Sequence, residues 1–483
     1  MTLEPILRSR GVISWFLRPV SWIILATVLR LVVLGMIPFH PTLLLDRGVA
    51  QASQQQPAHG LKEAWELLRR RSEFHPLTVD EVRYDEMGKN LAAGKGFVMD
   101  GGFIVSTPGQ PAMYAGCTYP LFLGVMYFLF GSGNQVPVSL VQIGLQAVAI
   151  WFVFGAATRL AGRAAGAVAA AFLAFHPVLI WLSVSIMTEA VIVPISAALA
   201  WLAVQRRGTG QVSTRAWVRP TLLGVLLAAL CLTRSTCFGF VLVIAALLLF
   251  QARKARPFFG KLVPCLEMLA VFAVVCAPWT IRNYIHWHRF IPFSTKSGVN
   301  AWFFNHPGLE VEFGRRAVEG PQPIDIFDPR IQSLPDEAAR DARLMEMFRE
   351  FVHENPGKFL GLCWMRFWLA ALPVRITSDT LTALVSAWYA KGVTLFVVVM
   401  ALVAVAAGRL RGLRLLLRCW PVFGFVIYWQ AIQTLAGPGL RYRLPAEPFW
   451  AVLVGVLAVI LAGLLGIGFE PRGLARRWLR RSR

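Results

Sequence analysis

Val79 to Phe97, reading VDEVRYDEMGKNLAAGKGF, sets four carboxylates (Asp80, Glu81, Asp85 and Glu86) around Arg83 and Tyr84 and closes on a glycine turn. A carboxylate within hydrogen-bond reach of a hydroxyl can take its proton, and an arginine beside it can hold an anionic group with two parallel bonds. The stretch reads as a catalytic loop. Asp-Glu pairs also occur as solvated caps, and Asp80 could simply cap a following helix; Arg83, Tyr84 and the glycine turn favour chemistry.

Other charged groups fall at helix ends. Glu189 follows HPVLIWLSVSIMT, Arg234 sits in the turn TRST, Arg282 lies in PWTIRNY, and Arg441, Tyr442 and Arg443 lie in GPGLRYRLP. Ionisable groups at membrane depth are costly and are usually kept for a partner or a ligand. Glu189 could equally mark a helix end. Arg234 and Arg282 could be snorkelling residues, and the 441–443 cluster could be an interfacial anchor or a mobile phosphate clamp. Together they suggest a pocket for an anionic lipid headgroup with an acid/base group beside it. Glycosyl transfer from a lipid-linked phosphate sugar suits that pocket: arginine neutralises the leaving phosphate, and a carboxylate takes the acceptor proton. His286, His288 and His306 fit no ligand spacing, so a divalent metal stays open and no other cofactor is implied.

The elements that must position these residues are helices in a membrane. The chain has 483 residues, 56% hydrophobic and 15% charged, with mean hydropathy +0.57; it is too apolar for an ordinary soluble protein. The net charge of +22 does not point to nucleic acid, because the basic residues stand in short clusters between apolar spans, the positive-inside pattern. Most of the 26 acids lie in two segments, 38–136 and 284–360. The seven cysteines (Cys117, Cys231, Cys237, Cys265, Cys276, Cys363 and Cys419) show no CxxC pair or zinc spacing and read as small buried hydrophobes.

We expect an all-α polytopic membrane protein with about ten transmembrane helices, near 12–37, 137–157, 165–183, 190–204, 220–233, 237–251, 263–283, 391–408, 414–431 and 448–468. The first reads as an uncleaved span behind Arg8, Arg10 and Arg18. The apolar pieces 120–131 and 359–372 would invert the charge pattern if they spanned, so they are placed as interfacial helices; 61–71 is amphipathic and suits either the membrane surface or a solvated loop. Three divisions follow: 1–283, a catalytic module with an extracytoplasmic loop at 38–136; 284–390, a second such loop with an interfacial helix; and 391–483, the last helices and a basic tail. No inverted repeat of the kind common in transporters is present.

The stretch DEVRYDEMGKNLAAGKGF resembles the first-loop signature of GT-C type integral-membrane glycosyltransferases, in particular the dolichyl-phosphate-mannose protein mannosyltransferase and lipid A aminoarabinose transferase group. The resemblance extends to YPLFLGVMYFLFG, PWTIRNYIHWHRFIPFSTKSGVNAWFFNHP and RYRLPAEP. It implies Asp80 as catalytic carboxylate with Glu81 its acidic neighbour, Arg83 and Tyr84 at the headgroup, and Arg282 and Arg441 near phosphate. It also implies a polyprenyl-phosphate sugar donor, an extracytoplasmic acceptor (protein, lipid or glycan), contact with membrane lipids, and a bacterial inner membrane with the site on its outer face. Where the aminoarabinose pattern has Glu-Lys-Pro-Pro, this chain has Cys117-Thr118-Tyr119-Pro120, which favours the broader mannosyltransferase-like group. A lipid or solute transporter and a non-catalytic membrane assembly factor remain as other classes; a transporter would place its charges near mid-bilayer with access to both faces.

Overall fold

The computed structural model describes residues 15–36, 60–69, 79–100, 106–113, 116–205, 217–251, 258–309, 328–371, 392, 398, 419–437 and 441–464. Among these the structure is helical, apart from an isolated bridge between Val98 and Pro111. In chain order the helices are α1 (Pro19–Met36), α2 (Leu61–Arg69), α3 (Val79–Ala92), α4 (Thr118–Phe130), α5 (Gln135–Ala161), α6 (Arg163–Ala174), α7 (Pro177–Leu182), α8 (Glu189–Ala203) and α9 (Val218–Thr233). Then come α10 (Gly239–Gln251), α11 (Phe258–Trp287), α12 (Ser297–Phe304), α13 (Pro329–Gln332), α14 (Glu337–Glu354), α15 (Pro356–Ala371), α16 (Trp420–Ala436) and α17 (Glu447–Leu464).

Among the described residues, four helical stretches are long and apolar enough to cross a membrane: Pro19–Met36, Gln135–Ala161, Leu262–Trp287 and Tyr442–Ala462. Five shorter apolar helices stand beside them. The protein is an integral membrane protein. The span expected at 391–408 lies outside the described residues, apart from Gly392 and Val398, as does the start of the one at 414–431.

Two expectations are corrected. Val79–Phe97 is mostly helix, not loop: the helix runs through Gly88 to Ala92, and the chain turns only at Gly94 and Gly96, both at positive φ. The single span at 165–183 is two helices: α6 stops at Ala174, and α7 restarts at Pro177, whose ring fits a first helical turn but disfavours helix at the residue before it.

The core is built on α5. It packs against α1, α6, α8 and α17, and the alanine-rich α6 lies between α5 and α17 because its small side chains let the backbones approach. Arg30 on α1 is buried, and it donates to Ala174 O at 3.1 Å and Leu173 O at 3.4 Å. A cation there meets the negative end of the α6 dipole and satisfies carbonyls that have no helical partner.

Helix α3 crosses α4 at glycines. A Cβ on Gly88 would lie 2.6 Å from Leu123 Cβ, and one on Gly124 2.8 Å from Leu91 Cβ. The contact leaves no space for a larger side chain, so we expect Gly88→Val to destabilise the protein by about 1–3 kcal/mol. A thermal series followed by fluorescence-detected gel filtration in detergent will read this as a lowered midpoint.

Candidate active site

Helix α3 turns its two leading acids in different directions. Glu81 is fully buried, and its Oε1 accepts from Ile186 N at 2.9 Å. One residue back, Asp80 is partly open, and its Oδ1 lies 3.8 Å from Lys296 Nζ. Successive helical residues point about 100° apart, which follows from 3.6 residues per turn, so anchoring Glu81 inward aims Asp80 elsewhere. Below them Asp85 is buried against the Tyr127 hydroxyl and Lys89 Nζ, the latter at 2.9 Å. Tyr84 is buried edge-on to Tyr119, centroids 5.2 Å apart. Arg83 is half-buried on the same helix.

The backbone that Glu81 holds leads into a second cluster. Gln142 on α5 accepts from the Tyr119 hydroxyl and donates to Ser183 O and Ser185 O, fixing the turn before α8. That turn delivers Glu189 to the first turn of α8, where a carboxylate meets the positive end of the helix dipole. Glu189 is buried, with Oε1 2.7 Å from Arg234 Nη2 and Oε2 accepting from Thr188 Oγ1 at 3.1 Å. The Arg234 guanidinium lies 5.6 Å from the centroid of the Tyr442 ring. Glu189, Arg234 and Tyr442 thus come together from three distant parts of the chain. Arg441 carries a side chain outside the described residues. Beyond it, Arg443 Nε is 2.6 Å from Glu447 Oε1, and His176 Nε2 is 3.5 Å from Glu447 Oε2.

Arg282 is engaged elsewhere. Its Nη1 donates to Ala112 O at 3.2 Å and Asn283 Oδ1 at 3.0 Å, and its Nη2 reaches Phe97 O at 3.5 Å. The rings of Phe97, Trp279 and Trp287 surround it at 4.8–5.6 Å. Arg282 therefore binds the segment after α3 to the end of α11.

Sequence reasoning missed Lys296, Glu337 and Asp341. Lys296 stands inside the stretch PFSTKSGVN with no periodic signal, and Glu337 and Asp341 are two of the many acids of the 284–360 segment, with nothing in the sequence to single them out. In the fold, Glu337 is buried and accepts from Met113 N and from the Thr295 hydroxyl. Burial pushes its carboxyl up to about 7 against those hydrogen bonds, with Asp341 nearby adding to the rise and Arg282 opposing it.

Among the described residues no three His, Cys, Asp or Glu groups converge, and Asp80 faces a lysine rather than further anionic donors. His286 and His288 are exposed, whereas His306 is buried and accepts from Gly308 N.

The raised Glu337 carboxyl has a pH signature. A group protonated more readily in the fold than in the unfolded chain stabilises fully below its ordinary value of 4.5, and that contribution is lost as pH rises through about 7. We expect the thermal midpoint to fall between about pH 4.5 and about pH 7 and to level off above that, and Glu337→Gln, which keeps an acceptor oxygen, to reduce that fall. Differential scanning fluorimetry across the range checks it.

Residues 116–281 match the family model described as dolichyl-phosphate-mannose-protein mannosyltransferase. The archaeal oligosaccharyltransferase AglB from Archaeoglobus fulgidus, solved with an inhibitory peptide and a dolichol-phosphate, is similar at 12% identity and a TM-score of 0.50, over 96% of this chain and 53% of its own. ArnT from Cupriavidus metallidurans bound to undecaprenyl phosphate is similar at 14% identity and a TM-score of 0.30, over 84% of this chain and 80% of its own. No curated protein matches the chain. This chain spans about half the length of the oligosaccharyltransferase, and at that identity the likeness is one of fold. The chain is similar to the GT-C type integral-membrane glycosyltransferases, and its residues 116–281 carry the sequence pattern of the mannosyltransferase family among them.

Proposed function

We propose that this protein is a membrane glycosyltransferase that moves a sugar from a polyprenyl-phosphate donor to an acceptor hydroxyl outside the cytoplasm. The observation that carries the reading is Asp80: a partly open carboxylate on the same helix as buried Glu81 and Asp85, with Lys296 Nζ 3.8 Å away. A base and a cation side by side are what a displacement at an anomeric carbon needs. Asp80 accepts the proton of the acceptor hydroxyl as that oxygen forms its bond to the anomeric carbon. The bond from that carbon to the phosphate oxygen breaks, and its electron pair leaves with the polyprenyl phosphate. Lys296 meets the charge that develops on the phosphate, and the anomeric centre inverts.

The sequence expectation gave the phosphate to Arg282 and Arg441. Arg282 is assigned here to hold Phe97 and Ala112, because its donors already meet their two carbonyls and Asn283. Glu81 is likewise assigned to positioning, since its carboxylate is fully buried on a backbone N–H.

Charge placement supports an extracytoplasmic site. Arg159 and Arg163 lie at the far end of α5 from Gln142, about 25 Å along the helix at 1.5 Å per residue. Arg219 donates to Leu202 O at the end of α8 opposite Glu189. Basic residues at one end and the candidate site at the other fit the positive-inside pattern, which supports a site on the outer face; we assign the protein to a bacterial inner membrane. The inhibitory peptide and dolichol-phosphate of the archaeal structure support a lipid-linked donor and an extracytoplasmic acceptor in general terms.

Purified protein should transfer a sugar from a polyprenyl-phosphate donor, and Asp80→Asn should lower the rate by about 100-fold or more while retaining binding of polyprenyl phosphate. Mass spectrometry of lipids and glycans from a deletion strain, complemented with wild type or Asp80→Asn, identifies the sugar and acceptor. Transfer unchanged by Asp80→Asn sinks the base assignment. Unaltered glycans together with lipid flux in reconstituted vesicles would replace the transferase with a transporter.

A further inference from the structure

Helix α12 lacks a cap of its own. Lys296 occupies its N-cap position and makes no capping hydrogen bond, and a cation is the wrong charge for the positive end of a helix dipole. The cap comes from α14. Asp341 Oδ1 accepts from Val299 N at 2.9 Å, and Gly298 N bonds the same carboxyl. The approach is close enough that a Cβ on Gly298 would overlap the Asp341 carbonyl oxygen. Only glycine lets α14 press directly on the first turn of α12.

The far end of α12 is also gripped. Buried Arg366 on α15 donates to Phe304 O and, at 2.8 Å, to Asn305 Oδ1. With that end fixed, the Asp341 cap decides where the first turn sits. Lys296 leaves the chain at that turn and spans the gap to Asp80, and at 3.8 Å the pair is at the outer limit of direct contact, so a small shift of the turn separates it.

We propose that Asp341 is a positioning residue for the transfer reaction: by capping α12 from outside, it holds Lys296 against Asp80. The inference rests on the proposed function and adds a residue that touches no substrate. Among the described residues, the charged groups at this junction include Lys296 and Asp80 across the gap, Glu337 one turn earlier on α14, and Arg282, which acts on Glu337.

The test measures pH profiles of transfer by purified full-length protein with a polyprenyl-phosphate sugar. Asp341→Ala should lower kcat roughly tenfold, the effect of losing a helix cap expressed in rate. Its acid limb should move to higher pH, because Asp80 loses an adjacent cation that favours its charged form. Asp341→Asn keeps an oxygen for the two amides and should stay within about twofold of wild type with its acid limb unmoved. Lys296→Met should move the limb as far as Asp341→Ala, and the double variant should add nothing. Gly298→Ala, which pushes the same turn away without removing a charge, should move the limb in the same direction. A lowered rate with a profile of unchanged shape, or limb shifts that add, overturns the inference while leaving the Asp80 reading intact. Wild-type transfer by Asp80→Asn overturns both.

Discussion

The arrangement around Asp80 depends on the buried carboxylate beside it. Glu81 is removed from solvent and matched to the amide of Ile186. An ionised group so enclosed is costly unless it is hydrogen-bonded, and a backbone N–H left without its acceptor would be costly too. Each satisfies the other, and the bond fixes the rotation of α3 about its axis. With the glycine crossing to α4 setting its depth, Asp80 is left as the carboxylate that faces the gap to Lys296. Two adjacent acids acquire different roles through environment alone.

The same logic runs through the charges between the helices. Glu189 meets Arg234, Arg443 meets Glu447, and Arg30 and Arg366 meet carbonyls at helix ends. Breaking a buried pair leaves an uncompensated charge, so these contacts specify which helix ends must meet more than they add net stability. They carry positional information across the chain: the turn before α8 is tied to α3 by Glu81, and the first residue of α8 is tied by Glu189 to the end of α9.

The polar segment after α11 is part of this framework. Glu337 reaches Met113 and Thr295, Asp341 caps α12, and Arg366 holds its far end. Helix α12 is thereby suspended between the polar segment and the membrane helices, with Lys296 at its leading edge. A short helix without a cap of its own can be placed by its surroundings more finely than one whose local sequence fixes its start.

The sequence by itself determined the membrane class, most helix positions and the acidic stretch near Asp80, because apolar periodicity and charge at helix ends are local signals. Pro177 even marks where the expected 165–183 span breaks, although the apolar run around it outweighed that sign. The pairing of Glu189 with Arg234, the withdrawal of Glu81 and Arg282 into backbone contacts, and the meeting of Lys296 with Asp80 were decided only by tertiary structure. Their partners are remote along the chain, and a single sequence shows a residue's chemistry without showing what faces it. A carboxylate is a base, an anchor or a cap according to the groups within about 4 Å of it, where charge and hydrogen bonding act most strongly, and those neighbours exist only once the helices have packed.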